Sequence, residues 1–193
     1  MTGGHSLQSL LIQDNKASMQ HLLVAATFDA FELVSAQLAT FCTFSVAGDY
    51  IPGFLPQEDA LPAAASAGPA DVPDAAANKA PASHTYTPWR LIRPHMLDLI
   101  RGKSKPSSMR IVLRMSNENT QKVLRSSGAD LNAGDVTGLY LNITYQYTGQ
   151  EETITCIPGV SIRVFTLDKR LEHTWDEMVG KFLKQSRIPF LNA

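Results

Sequence analysis

Nowhere in the 193 residues is there an apolar run approaching the roughly 18 to 20 residues of a membrane-spanning helix. Met1 to Leu11 hold no Lys or Arg and only a short apolar stretch, which is not the pattern of a secretory signal. Cysteine is scarce too. Cys42 and Cys156 lie far apart, each in an apolar, β-prone stretch, so neither a disulfide framework nor a Cys-x-x-Cys metal or redox site is expected. Both are expected to be buried, reduced thiols, which points to the cytoplasm. Charged residues make up only 18%, but the hydrophobic fraction of 44% is ordinary, so the bulk of the chain is not a disordered polyelectrolyte.

Catalytic signatures are missing as well. There is no Gly-x-Ser-x-Gly elbow and no Gly-x-Gly-x-x-Gly dinucleotide turn. Gly102-Lys103-Ser104 ends like a phosphate-binding loop, but Leu97 stands where that loop needs its first glycine, and the triplet closes a helix instead of opening one. No two histidines are spaced as paired metal ligands on a helix, so no metal and no cofactor is expected. The one tight polar cluster is Glu172, His173, Asp176 and Glu177. On a helix His173 shares a face with Asp176 and Glu177, as an acid–base pair would require; the plainer reading is a solvated face with Lys169 and Lys181 as ion-pair partners.

The net charge of −1 conceals an uneven distribution. Residues 1–85 carry two basic and eight acidic side chains, residues 86–125 nine basic and two acidic, and residues 126–193 six basic and eight acidic. Arg90, Arg93 and Arg101 on a helix, with Lys103 and Lys105 in the loop after it, could converge on one edge and hold an anion or a partner. Tyr86 and Trp89 stand beside them and could stack on a base. The alternative is that these cations answer the acidic first half within one fold.

The spacing predicts a strand over Leu7–Gln13 and a helix capped by Asp14 or Asn15, with Met19, Leu22, Leu23 and Ala26 as its stripe. Phe31–Val46 is strand-like but long, so a bulge or bend is expected near Ala39–Thr40, with a second reversal at Ala47-Gly48-Asp49 leading back through Tyr50–Phe54. Residues 56–85 contain eleven Ala and five Pro with few large aliphatics, and are expected to be a disordered insertion within a single domain spanning 1–193. A helix follows, with Thr87 as its cap and Pro88 in its first position, kinked or split at Pro94 and stopped at Gly102. Then come a strand at Met109–Met115, a helix at Asn117–Ser126 closed by Gly128, and a hairpin of Val136–Tyr147 with Glu151–Ile157. Beyond a break at Gly159 lie a strand at Ser161–Phe165 and a helix at Asp168–Gln185. Strands clustered as hairpins imply an α+β fold: an antiparallel or mixed sheet of about six strands with helices mainly on one face.

Several runs also resemble a known family. They are Thr155-Cys156-Ile157-Pro158-Gly159-Val160-Ser161, Phe165-Thr166-Leu167-Asp168-Lys169 with Leu171-Glu172-His173-x-Trp175-Asp176-Glu177, Leu91-Ile92-Arg93-Pro94, and Gly138-Leu139-Tyr140-Leu141-Asn142-Ile143. In these the sequence resembles an uncharacterised domain-of-unknown-function family of low-GC Gram-positive bacteria, over nearly all the chain except the Ala/Pro segment. The resemblance implies a bacterial intracellular domain and brings no activity, cofactor or catalytic residue.

The expected function is therefore a non-enzymatic cytoplasmic binding module acting through Arg90, Arg93, Arg101, Lys103 and Lys105 on a protein or polyanion, with no membrane. The alternative is a small enzyme using His173, Asp176 and Glu177. A third reading is a homo-oligomer joined through an exposed strand edge.

Overall fold

A computed structural model describes residues 9–51, 86–101 and 105–192. In order they form β1 (Leu10–Ile12), α1 (Asn15–Leu23), a 3-10 turn (Ala26–Phe28), β2 (Phe31–Ala39), β3 (Thr43–Ala47), β4 (Thr87–Pro88) and α2 (Trp89–Ile100). They continue as β5 (Ser108–Met115), α3 (Asn117–Ser127), β6 (Val136–Tyr147), β7 (Glu152–Ile162), α4 (Arg170–Gln185) and β8 (Phe190–Asn192). The fold is α+β. One wholly antiparallel sheet runs β3-β2-β5-β6-β7-β1-β8, and β4 also pairs with β2. The described residues hold eight strands where about six were expected, because those at β4 and β8 are too short for alternation to reveal them.

Burial alternates with period two along the long strands. Met109, Ile111 and Leu113 of β5 lie in register with Tyr145, Ile143 and Leu141 of β6, and all six are buried. Ile154 and Cys156 extend these rows into β7. In β2 the buried parity changes, from Phe31 and Leu33 to Ala36 and Leu38, because a bulge between Leu33 and Ser35 adds one residue. Of the bulge or bend expected near Ala39–Thr40, the bend is present: the chain reverses through residues 40–42 into β3. Of the return expected through Tyr50–Phe54 after Ala47–Asp49, Tyr50 and Ile51 belong to no strand, and residues 52–54 lie outside the described residues.

The helices close over the buried rows. Asp14 caps α1 by accepting from the Ala17 N–H at 2.9 Å, and Leu22 and Leu23 are buried. Trp89 is fully buried and its Nε1 donates to the Leu22 carbonyl at 2.9 Å, which binds α2 to α1. Thr87 and Pro88 belong to a strand, so α2 starts one residue later than expected, and it passes Pro94 as a single helix. Gly128 closes α3 in the left-handed region at φ 60. Leu171, Trp175, Val179 and Leu183 form the buried stripe of α4, and Trp175 Nε1 donates to the Tyr140 carbonyl at 3.1 Å.

Two further expectations need correction. Gly159 does not break a strand: β7 runs unbroken through Pro158 and Gly159, paired with Leu141 and Tyr140. Among the described residues β1 pairs with β7 over Thr155 and Cys156, so there the missing N–H of Pro158 falls beyond that pairing. Cys42 is exposed, because it sits in the turn between β2 and β3; only Cys156 is buried. The Ala/Pro segment expected to be disordered, residues 56–85, lies outside the described residues.

Candidate functional site

Of the five cations expected to converge, Lys103 lies outside the described residues, and Arg93 and Lys105 are each engaged by a carboxylate. Arg93 clasps Asp29 with Nε at 2.8 Å and Nη2 at 3.2 Å, and its Nη1 donates to the Val24 carbonyl at 2.6 Å. This two-pronged contact fastens α2 to the turn before β2, a structural task. Lys105 is ion-paired with Glu152 and lies 5.5 Å from the centre of the Tyr147 ring; the carboxylate raises its pKa. Arg101 is 3.7 Å from Asp98, with both side chains largely in water. Arg90 is half-buried at the start of α2, and Lys103 lies outside the described residues. Buried Trp89 has no free face for a base, and Tyr86 lies over Arg114, 5.5 Å from its guanidinium carbon.

The acid–base candidates do come together. His173, Asp176 and Glu177 line a cleft of about 440 Å³ between α4 and β8, with Lys181 and Lys184 further along α4 and Phe190 on β8. His173 Nε2 is 3.2 Å from Glu177, and Lys181 is 3.6 Å from the same carboxylate. All three side chains are more than half exposed, as on a solvated helix face. Asp176 differs. Burial pushes its pKa up, the nearby Glu172 adds to the rise, and His173 opposes it. Among the described residues no group of three or more His, Cys, Asp or Glu is placed to hold a metal, and no helix is long and apolar enough to cross a membrane.

Sequence reasoning missed two features. The first lies on the sheet face away from the apolar rows, where Glu32, Arg114, Tyr140 and Gly159 share one register row. Arg114 is buried there, its Nη2 donating to Asn117 Oδ1 at 2.5 Å and to the Thr137 carbonyl at 2.7 Å, while Nη1 is 3.7 Å from Glu32. Its parity matches exposed Arg110, so alternation alone separates neither from solvent.

The second feature is the loop between β7 and α4. Phe165 is 91% exposed and Leu167 82%, with Val164 at 44%. The base of the loop is fastened. Arg163 N–H donates to the Asp135 carbonyl at 2.7 Å, Asp168 N–H to Thr166 Oγ1 at 3.0 Å, and Asp130 N–H to Asp168 Oδ2 at 2.9 Å. Asp168 also holds the Arg170 guanidinium, which keeps its carboxyl well below the usual carboxylate range. The signal was present in the sequence as four residues, Val164 to Leu167, with three large apolar side chains and no burying period.

The geometry defines an antiparallel α+β domain with open surfaces and a shallow cleft. Residues 70–191, well over half of the chain, match the model of DUF5721, a family of unknown function, and the chain belongs to that family. No curated protein and no solved structure matches it.

Proposed function

We propose that the chain is a non-enzymatic binding module that engages its partner over exposed surface. The loop Val164–Leu167 carries this reading. Two large apolar side chains stand in water on a hydrogen-bonded base, where an ordinary surface loop has polar tips. Arg90 and Arg101 remain as a cationic contribution on α2, with Lys103 beside them in sequence; Arg93 and Lys105 are already neutralised by Asp29 and Glu152. The free thiols of Cys42 and Cys156 support a reducing compartment such as the bacterial cytoplasm.

The test is photo-cross-linking in cells, with benzoylphenylalanine placed at position 165 and, as a control, at exposed Thr153 on β7. Discrete adducts from position 165 alone support the module, and the absence of any adduct at 165 refutes it.

Asp176 supports a second reading, an acid–base enzyme at the α4 cleft, because a carboxyl that resists ionisation suits proton donation. A thermal-shift screen of small metabolites addresses it. A stabilising ligand whose effect disappears in Asp176→Asn would favour the enzyme.

A further inference from the structure

We propose that Phe165 and Leu167 are anchors for a protein partner whose apolar cleft is rimmed by Lys or Arg, an inference that rests on the binding-module reading. The Thr166 hydroxyl accepts from the Asp168 N–H, while the residues on either side of it both stand in water. This makes a two-pronged apolar peg on a fixed base, the shape that fills a cleft instead of lying on a flat surface. Because the base is already hydrogen-bonded, docking orders little new backbone, and the contact can be strong for its size.

Area argues against a second copy as the occupant. Val164, Phe165 and Leu167 together offer on the order of 300–400 Å² of apolar surface, whereas a stable dimer needs about 800 Å² from each partner. Charge argues against an anionic lipid surface. Around the loop Arg170 is held by Asp168, with Asp130 also acting on it, and Lys169 by Glu172; with Asp135 and Arg163 counted, four carboxylates stand against three cations. A rim with this balance repels anionic headgroups and complements a basic border on a protein cleft.

The experiment starts from the adduct at position 165. The cross-linked species is identified by mass spectrometry, purified, and titrated calorimetrically against the full chain and its Phe165→Ser, Leu167→Ser and Asp130→Asn variants. Both apolar side chains lie in water, so the Ser variants should match the parent in circular dichroism and melting temperature. The expected result is at least a tenfold loss of affinity for Phe165→Ser and a clear loss for Leu167→Ser. Asp130→Asn should bind more weakly at low salt and show a shallower salt dependence. A purified partner that binds Phe165→Ser as tightly as the parent overturns the inference. So does an adduct with a second copy of this chain, or Phe165-dependent sedimentation with vesicles of phosphatidylcholine and phosphatidylglycerol in a 3:1 ratio. Those three results leave the binding-module reading in place, whereas no adduct at all removes both.

Discussion

Arg114 and Gly138 fit on neighbouring strands only because position 138 has no side chain. A Cβ there would lie 2.6 Å from Arg114 Nε and 3.0 Å from the Tyr140 ring. A register shift between Val136 and Gly138 marks a bulge, and the carbonyl of the intervening Thr137 accepts from Arg114. Gly138→Ala should therefore displace a guanidinium that is held at Asn117 and Thr137, at a cost of about 1–3 kcal/mol. Urea denaturation checks this as a lower midpoint with an unchanged slope. Gly134→Ala, where an added Cβ meets nothing within 4 Å, is the control and should be near neutral.

The Glu32–Arg114 pair, with both side chains below one-tenth exposed, gives a second prediction. Arg114→Met leaves a carboxylate buried without that cation and should cost about 3–5 kcal/mol. Glu32→Leu combined with Arg114→Met should recover part of the loss, and a double-mutant cycle of unfolding free energies measures how much. Two independent, fully additive losses would show that the residues do not interact.

The thiols should behave oppositely. Cys42 is exposed in its turn, whereas burial pushes the Cys156 thiol up to about 12. At neutral pH a chromogenic disulfide reagent should modify one thiol quickly and the second only after denaturant is added. The sign for stability follows from the raised value. The folded chain favours the protonated thiol, so this contribution is complete below the ordinary thiol value near 9 and fades as pH climbs towards 12.

Asp168 predicts the acid side. Arg170 and the Asp130 N–H hold its carboxyl ionised well below the usual range. Its contribution is thus present above the ordinary carboxylate value and is lost as pH falls through the depressed one. Asp168→Asn should melt lower than the parent at pH 7, with the gap closing as the solution is acidified below about 4.

The arginines of α2 should divide by what they touch. Arg93→Ala removes a two-pronged, half-buried contact to Asp29 and should cost about 1.5–3 kcal/mol. Arg101→Ala, exposed and 3.7 Å from its partner, should leave the melting curve unchanged.

Local chemistry made much of this fold readable. Asp14 before α1, Gly128 after α3, and the alternation of β6 each settle within a few residues, so the sequence states them directly. What it hid depends on distant partners. β7 passes through Pro158-Gly159 in unbroken pairing with β6, and Phe31 and Ala36 face the same core because of a bulge that is defined only against β5. The same limit applies to sites. Clustered arginines in the sequence suggest one surface, but Asp29, Glu152 and Glu32 claim Arg93, Lys105 and Arg114 from 47 to 82 positions away. His173, Asp176 and Glu177 were found together because one helix carries them all.

Pro158 also bears on what the sheet can recruit. A sheet margin spreads aggregation by offering a row of N–H donors to a passing strand. Among the described residues β7 has no β1 neighbour past Cys156, and there Pro158 supplies no N–H donor in the folded chain or in any partly opened form. An incoming strand could not zip along that stretch without a gap.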